Sequence, residues 1–98
     1  MGIEYRISCP SENLQKLEEF LLRAGGRPSA RFPTQVEFRF RQTSPDEMPD
    51  ATAIVEPQGL YFCDHCGARE AVSVLFRRII DEALTLSGSS DSVVVKTL

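Results

Sequence analysis

The sequence predicts an α+β domain in which two helices pack on one face of a mostly antiparallel five-stranded sheet. Three observations lead there. Several short segments alternate apolar and polar residues with the period of two that a half-buried strand shows. Two longer segments space their apolar residues by three and four, the period of a helix with one apolar stripe. Along the chain these segments fall in the order β-α-β-β-β-α-β, and two singly striped helices are most simply buried together on one sheet face.

The first strand is Ile3 to Ser8, where Ile3, Tyr5 and Ile7 alternate with Glu4 and Arg6. Pro10 and Ser11 then suit a helix start, since Pro costs nothing in a first turn and Ser can cap. Leu14, Leu17, Phe20, Leu21 and Ala24 form the stripe of that helix, and Gly25-Gly26 ends it. Arg27 to Pro33 reads as a connection. Val36, Phe38 and Phe40, alternating with Glu37, Arg39 and Arg41, are the clearest strand, with both aromatics expected on its core side.

Gln42 to Asp50 is polar, carries Pro45 and Pro49, and reads as a loop whose acids are solvated. Ala51 to Val55 and Leu60 to Phe62 are strands joined at Glu56-Pro57-Gln58-Gly59, where Pro second and Gly fourth suit a type I turn. The second helix covers Ala68 to Leu86, with Val72, Leu75, Phe76, Ile79, Ile80 and Ala83 on one face. Val93-Val94-Val95 is a last strand, and three consecutive apolar residues predict cover on both of its faces. The order resembles a ferredoxin-like, split β-α-β arrangement with an added hairpin strand. That architecture hosts unrelated functions and implies none of them.

Length and composition set the remaining bounds. The chain has 98 residues, 42% hydrophobic and 26% charged, which suits residues 1–98 as one domain and excludes disordered and fibrous classes. No apolar run reaches the roughly 20 residues of a membrane span, and residues 1–6 do not read as a signal peptide. The expected compartment is therefore the cytoplasm, where Cys9, Cys63 and Cys66 are thiols or metal ligands.

Net charge is −3, unevenly spread. Five arginines and one acid lie between Arg23 and Arg41, whereas residues 42–64 hold five acids and no Lys or Arg. Mutual neutralisation across sheet and loop is the expected use. An arginine-bearing sheet face of Arg27, Arg31, Arg39 and Arg41 would also dock a protein partner. Nucleic acid is disfavoured, because the strand's aromatics point to the core rather than to the arginine face.

One motif carries chemistry, Phe62-Cys63-Asp64-His65-Cys66-Gly67. Two thiols three apart form half of a zinc knuckle, and a closed structural site needs four ligands. If the strands that lead into the two helices lie parallel and adjacent, Cys9 ends beside Cys63 and Cys66. His65 would then be the fourth donor for zinc. A homodimer sharing one zinc would complete the half motif differently. Cys-x-x-Cys before a helix also suits thiol redox work, although the chain after it is too short for a thioredoxin-like fold. The ordinary use is Cys63 as a small buried side chain and Asp64 as a helix cap. Any Cys-His dyad would have to join His65 to a cysteine very near it in sequence, which disfavours the geometry. With no complete catalytic set, the sequence leads to a non-enzymatic binding protein, with a zinc or thiol-redox protein as the alternative.

Overall fold

The computed structural model describes residues 2–41 and 47–98. Six strands form one sheet: β1 (Ile3–Ser8), β2 (Arg27–Pro28), β3 (Gln35–Phe38), β4 (Ala51–Glu56), β5 (Gly59–Asp64) and β6 (Val94–Thr97). Two helices, α1 (Leu14–Arg23) and α2 (Arg69–Ser87), lie against it, and a single 3₁₀ turn at Ser11–Asn13 leads into α1. The strand order is β2-β3-β4-β5-β1-β6, and every neighbouring pair is antiparallel. No helix among the described residues is long and apolar enough to cross a membrane.

The α+β class and the two-helix layer follow the sequence expectation, but the sheet has six strands, and the parallel pair does not form. Both differences have one cause. Arg27–Pro28, expected within a connection, pairs with Val36 and Glu37 as a two-residue strand. Each added antiparallel strand reverses the direction of those that follow it. With β2 included, β5 runs against β1 rather than along it, with Ile3 opposite Asp64 and Ser8 opposite Gly59. A two-residue strand has no measurable alternation, so its presence is invisible to sequence periodicity.

The helices are built as their stripes predict. Leu17 and Leu21 of α1 and Val72, Leu75, Ile79 and Ala83 of α2 are buried. They cover the sheet face that carries Ile7, Leu60, Phe62, Ala51, Ala53, Val36 and Phe38. Phe76 of α2 stands over this face, 4.4 Å from the Tyr5 ring and 5.1 Å from Phe62 between centroids. Each fully buried Leu, Ile or Phe contributes about 1.5–3 kcal/mol, so this layer is the main source of stability. Gly25 ends α1 with φ 107°, and Gly26 N–H and Gly25 N–H bond back to Leu21 and Leu22, which caps the orphan carbonyls.

The β4–β5 turn depends on close backbone approach. Gly59 has φ 154°, and a Cβ there would collide with the Ile7 carbonyl oxygen on β1. β6 departs from expectation. It lies at the sheet edge with all four residues exposed, because only β1 borders it, and Val94 is 58% exposed. β3 also stops at Phe38, so Phe40 is not a core residue; it is 43% exposed and stacks on Phe38 at 6.5 Å.

The chain leaves β3 early because Asp50 captures it. This residue was expected in a solvated loop, yet it is 1% exposed. Its Oδ2 accepts the N–H groups of Phe40 (2.7 Å) and Arg41 (3.2 Å), and its Oδ1 accepts Arg41 Nε (2.7 Å) and binds the second guanidinium nitrogen at 2.6 Å. Its own N–H donates to Phe38 O, and its carbonyl accepts His65 N–H. Residues 42–46 of the expected loop lie outside the described residues.

Burial alone would raise the Asp50 pKa. The two backbone donors and the Arg41 guanidinium outweigh it and hold the carboxylate below its usual range. Its stabilising effect is therefore present above the unfolded value near 3.9 and is lost as pH falls through the folded one. Because the Arg41 side chain is 51% exposed, the ion pair itself is a minor part. The larger part is two backbone N–H groups that lose their acceptor. Asp50→Ala should cost about 2–3 kcal/mol in urea unfolding at neutral pH and Arg41→Ala about 1. The wild-type advantage over Asp50→Asn should shrink below about pH 4. An Asp50→Ala midpoint equal to wild type would refute this account.

Candidate functional site

The sheet face opposite the helices is fixed by register. Cross-strand neighbours share a face, so one row runs Glu4, Cys63, Thr52, Glu37, Arg27 across five strands. The next row runs Lys96, Arg6, Tyr61, Ile54, Gln35. Over these rows lies a groove of about 1030 Å³. Thr52, Ile54, Tyr61, Cys63 and His65 line it from the sheet, and Arg31, Phe32 and Met48 line it from the flanking loops. The first of these loops is braced internally: Ser29 is buried, its Oγ accepts the N–H groups of Arg31 and Phe32, and Gln35 N–H returns to Phe32 O.

At the end of the groove three side chains meet. Cys63 and His65 are two apart in extended chain, so they emerge on the same face. Their Sγ and Nδ1 are 3.8 Å apart. Thr52, directly across from Cys63 in the register, has its Oγ1 3.1 Å from His65 Nε2. The His65 main chain is held by its N–H to Asp50 O. On the other flank, Tyr61 hydroxyl donates to Glu4 Oε1.

Electrostatics keep this group neutral. Burial pushes the Cys63 thiol up, with Glu4 and Asp64 adding to it against a contact with the Tyr61 hydroxyl. Burial likewise pushes the His65 imidazole down. The Tyr61 hydroxyl is raised by burial and by Glu4.

The cysteines do not converge as the parallel arrangement required. In the antiparallel register Cys63 faces Glu4, whereas Cys9 follows Ser8 at the opposite end of β1. Five residues of strand separate those two positions, about 16 Å at roughly 3.3 Å per residue. Cys9 is a buried member of the core, with its N–H on Gln58 O. Cys66 is exposed, in a turn with φ 66°, its N–H on Asp64 Oδ1. Asp64 thus closes a turn at Cys66 rather than capping α2, whose N-terminal flank is Ala68. Among the described residues no three Cys, His, Asp or Glu side chains are grouped to hold a metal ion.

The arginines separate too. Arg31 and Arg39 line the groove, Arg39 with NH1 on Glu47 O at 2.8 Å and NH2 on Glu37 Oε1 at 3.2 Å. Arg27 is exposed on the edge strand. Arg41 does not share a strand face with Arg39: it turns to Asp50 and packs against Gly67. Thr52, Tyr61, Phe32, Met48 and Ile54 escaped sequence reasoning. Alternation along β5 was the available signal for Tyr61, but nothing local marks Thr52, which register alone delivers.

No protein-family model, curated protein or solved structure matches this chain.

Two outcomes follow from the thiols and the imidazole. In native protein the fastest thiol toward Ellman's reagent should be exposed Cys66, and Cys66→Gly should remove that phase, while Cys9 titrates only on unfolding; a fastest phase unchanged in rate and amplitude in Cys66→Gly would contradict the assignment. For His65 the folded pKa lies below the unfolded value near 6.5, so the unfolded chain binds the extra proton between the two. Stability should accordingly fall as pH drops below about 6.5, and His65→Gln should flatten that part of the urea-unfolding pH profile. An unchanged slope would mean that the imidazole is equally solvated in both states.

Proposed function

We propose that this protein is a non-enzymatic binding protein that receives an extended segment of a protein partner in the groove on its helix-free sheet face. The supporting observation is the pair of large apolar side chains on the groove's walls, Phe32 at 56% exposure and Met48 at 59%. Exposed aromatic and Met side chains around a partly polar floor are the composition that protein interfaces favour. The groove's volume is at the upper end of small-molecule sites, which suits a length of polypeptide better than a compact ligand.

The charge of the lining narrows the partner. Arg31 and Arg39 stand beside Glu37, Glu47 and Glu56, so both signs are present. This favours a segment with apolar anchors flanked by mixed charges over a uniformly acidic one. Three carboxylates in the lining also disfavour a phosphate backbone. Of the four arginines, Arg31 and Arg39 are the contact candidates, Arg27 extends the surface at the edge, and Arg41 supports the fold.

The test is affinity capture from the source cells with quantitative mass spectrometry. A partner retained by wild type should be lost from Phe32→Ala/Met48→Ala and from Ile54→Arg, with Kd weakened about 30-fold or more if these are anchors. It should be kept by Glu18→Lys, an exposed change on α1. Full retention by both groove variants would show that the contact surface lies elsewhere.

A further inference from the structure

We propose that Cys63 is a nucleophilic thiol, with His65 as its base and Thr52 orienting the imidazole, and that it takes an acyl group from a thioester or activated ester bound in the groove. The three side chains stand in the order that nucleophilic catalysis uses. Sγ faces Nδ1 at 3.8 Å, and Nε2 on the far side of the ring meets Thr52 Oγ1 at 3.1 Å. In the tautomer that serves this chemistry, Nε2–H donates to Thr52 Oγ1 and the Nδ1 lone pair faces the thiol. All three line the groove, with Cys63 and Thr52 buried in its floor at 7% and 5% exposure. The main chain is fixed as well, since Thr52 and Cys63 are register partners and His65 N–H is held by Asp50 O.

The reaction balances without any further reagent. Sulfur attacks the acyl carbon as the thiol proton passes to His65 Nδ1. The Sγ–C bond forms, and the bond from carbon to the leaving sulfur or oxygen breaks. The proton then moves from Nδ1 to the departing group, leaving an acyl thioester on Cys63 and a free thiol or alcohol. Disulfide exchange is less well served, because Cys66 is exposed and its Sγ is directed to Asp64 O.

This inference does not rest on the partner reading and adds to it a single acylation of Cys63 with no turnover; its probe is small enough not to need the groove walls, so either reading can fail without the other. The probe is p-nitrophenyl acetate, applied to Cys66→Gly protein so that the exposed thiol does not compete. Intact mass and peptide mapping should find one acetyl group, on Cys63. His65→Gln should acylate about 100-fold more slowly or worse. Thr52→Val, nearly isosteric and so the safer variant for folding, should also slow acylation, and Thr52→Ser should restore it, which a purely structural role would not predict. An unmodified Cys63 would overturn the proposal, as would a wild-type rate in either folded His65→Gln or Thr52→Val.

Discussion

Asp50 ties its own segment to two others that are distant in the chain, residues 38–41 and His65. Through its carboxylate it holds the amides of Phe40 and Arg41 and the Arg41 guanidinium; through its main chain it holds Phe38 and His65. A carboxylate that is 1% exposed is costly to bury unless every lone pair is used, and here both oxygens are. Satisfying them forces the chain out of β3 after Phe38 and draws Arg41 across to Gly67. It also sets where β4 begins, one residue before Thr52, and where the chain beyond β5 must run. The candidate site is downstream of this one buried charge: Thr52 and His65 each take their position from it.

The second constraint is strand parity. β2 contributes only two residues and no buried side chain, yet it decides the direction of the three strands that follow. Because β5 runs against β1, the first and last cysteines of the chain fall at opposite ends of the same strand pair. The row Glu4, Cys63, Thr52 replaces the expected meeting of three thiols. The sheet face that results is neither an arginine face nor a cysteine cluster. It is a mixed surface with apolar walls and a thiol–imidazole pair on its floor.

The opposite-sign charge blocks that stand out in the sequence are used in part inside the molecule. Arg41 pairs with Asp50, Arg6 with Glu56 at 3.1 Å, and Arg39 with Glu37 and the Glu47 carbonyl. A charge pattern reports that neutralisation will occur; it does not report which charges remain for a partner. That distinction moves Arg41 from the contact surface to the fold, while Arg31 lines the groove and Arg39 lines it already paired with Glu37 and the Glu47 carbonyl.

Local periodicity determined the helices, their buried stripes, the hairpin at residues 56–59 and most strand positions. Those features depend on side-chain spacing and on Gly and Pro chemistry within a few residues. The contact of Cys63 with His65 runs against the sequence expectation that residues so near in the chain are poorly placed to pair: His65 directly follows β5, and its ring lies 3.8 Å from the Cys63 sulfur. What only the tertiary structure decided is everything that depends on pairing between distant segments: the strand order, the exposure of β6, the burial of Asp50 and the contact of His65 with Thr52. Register and direction are global quantities, and one two-residue strand without a periodic signal is enough to reverse them.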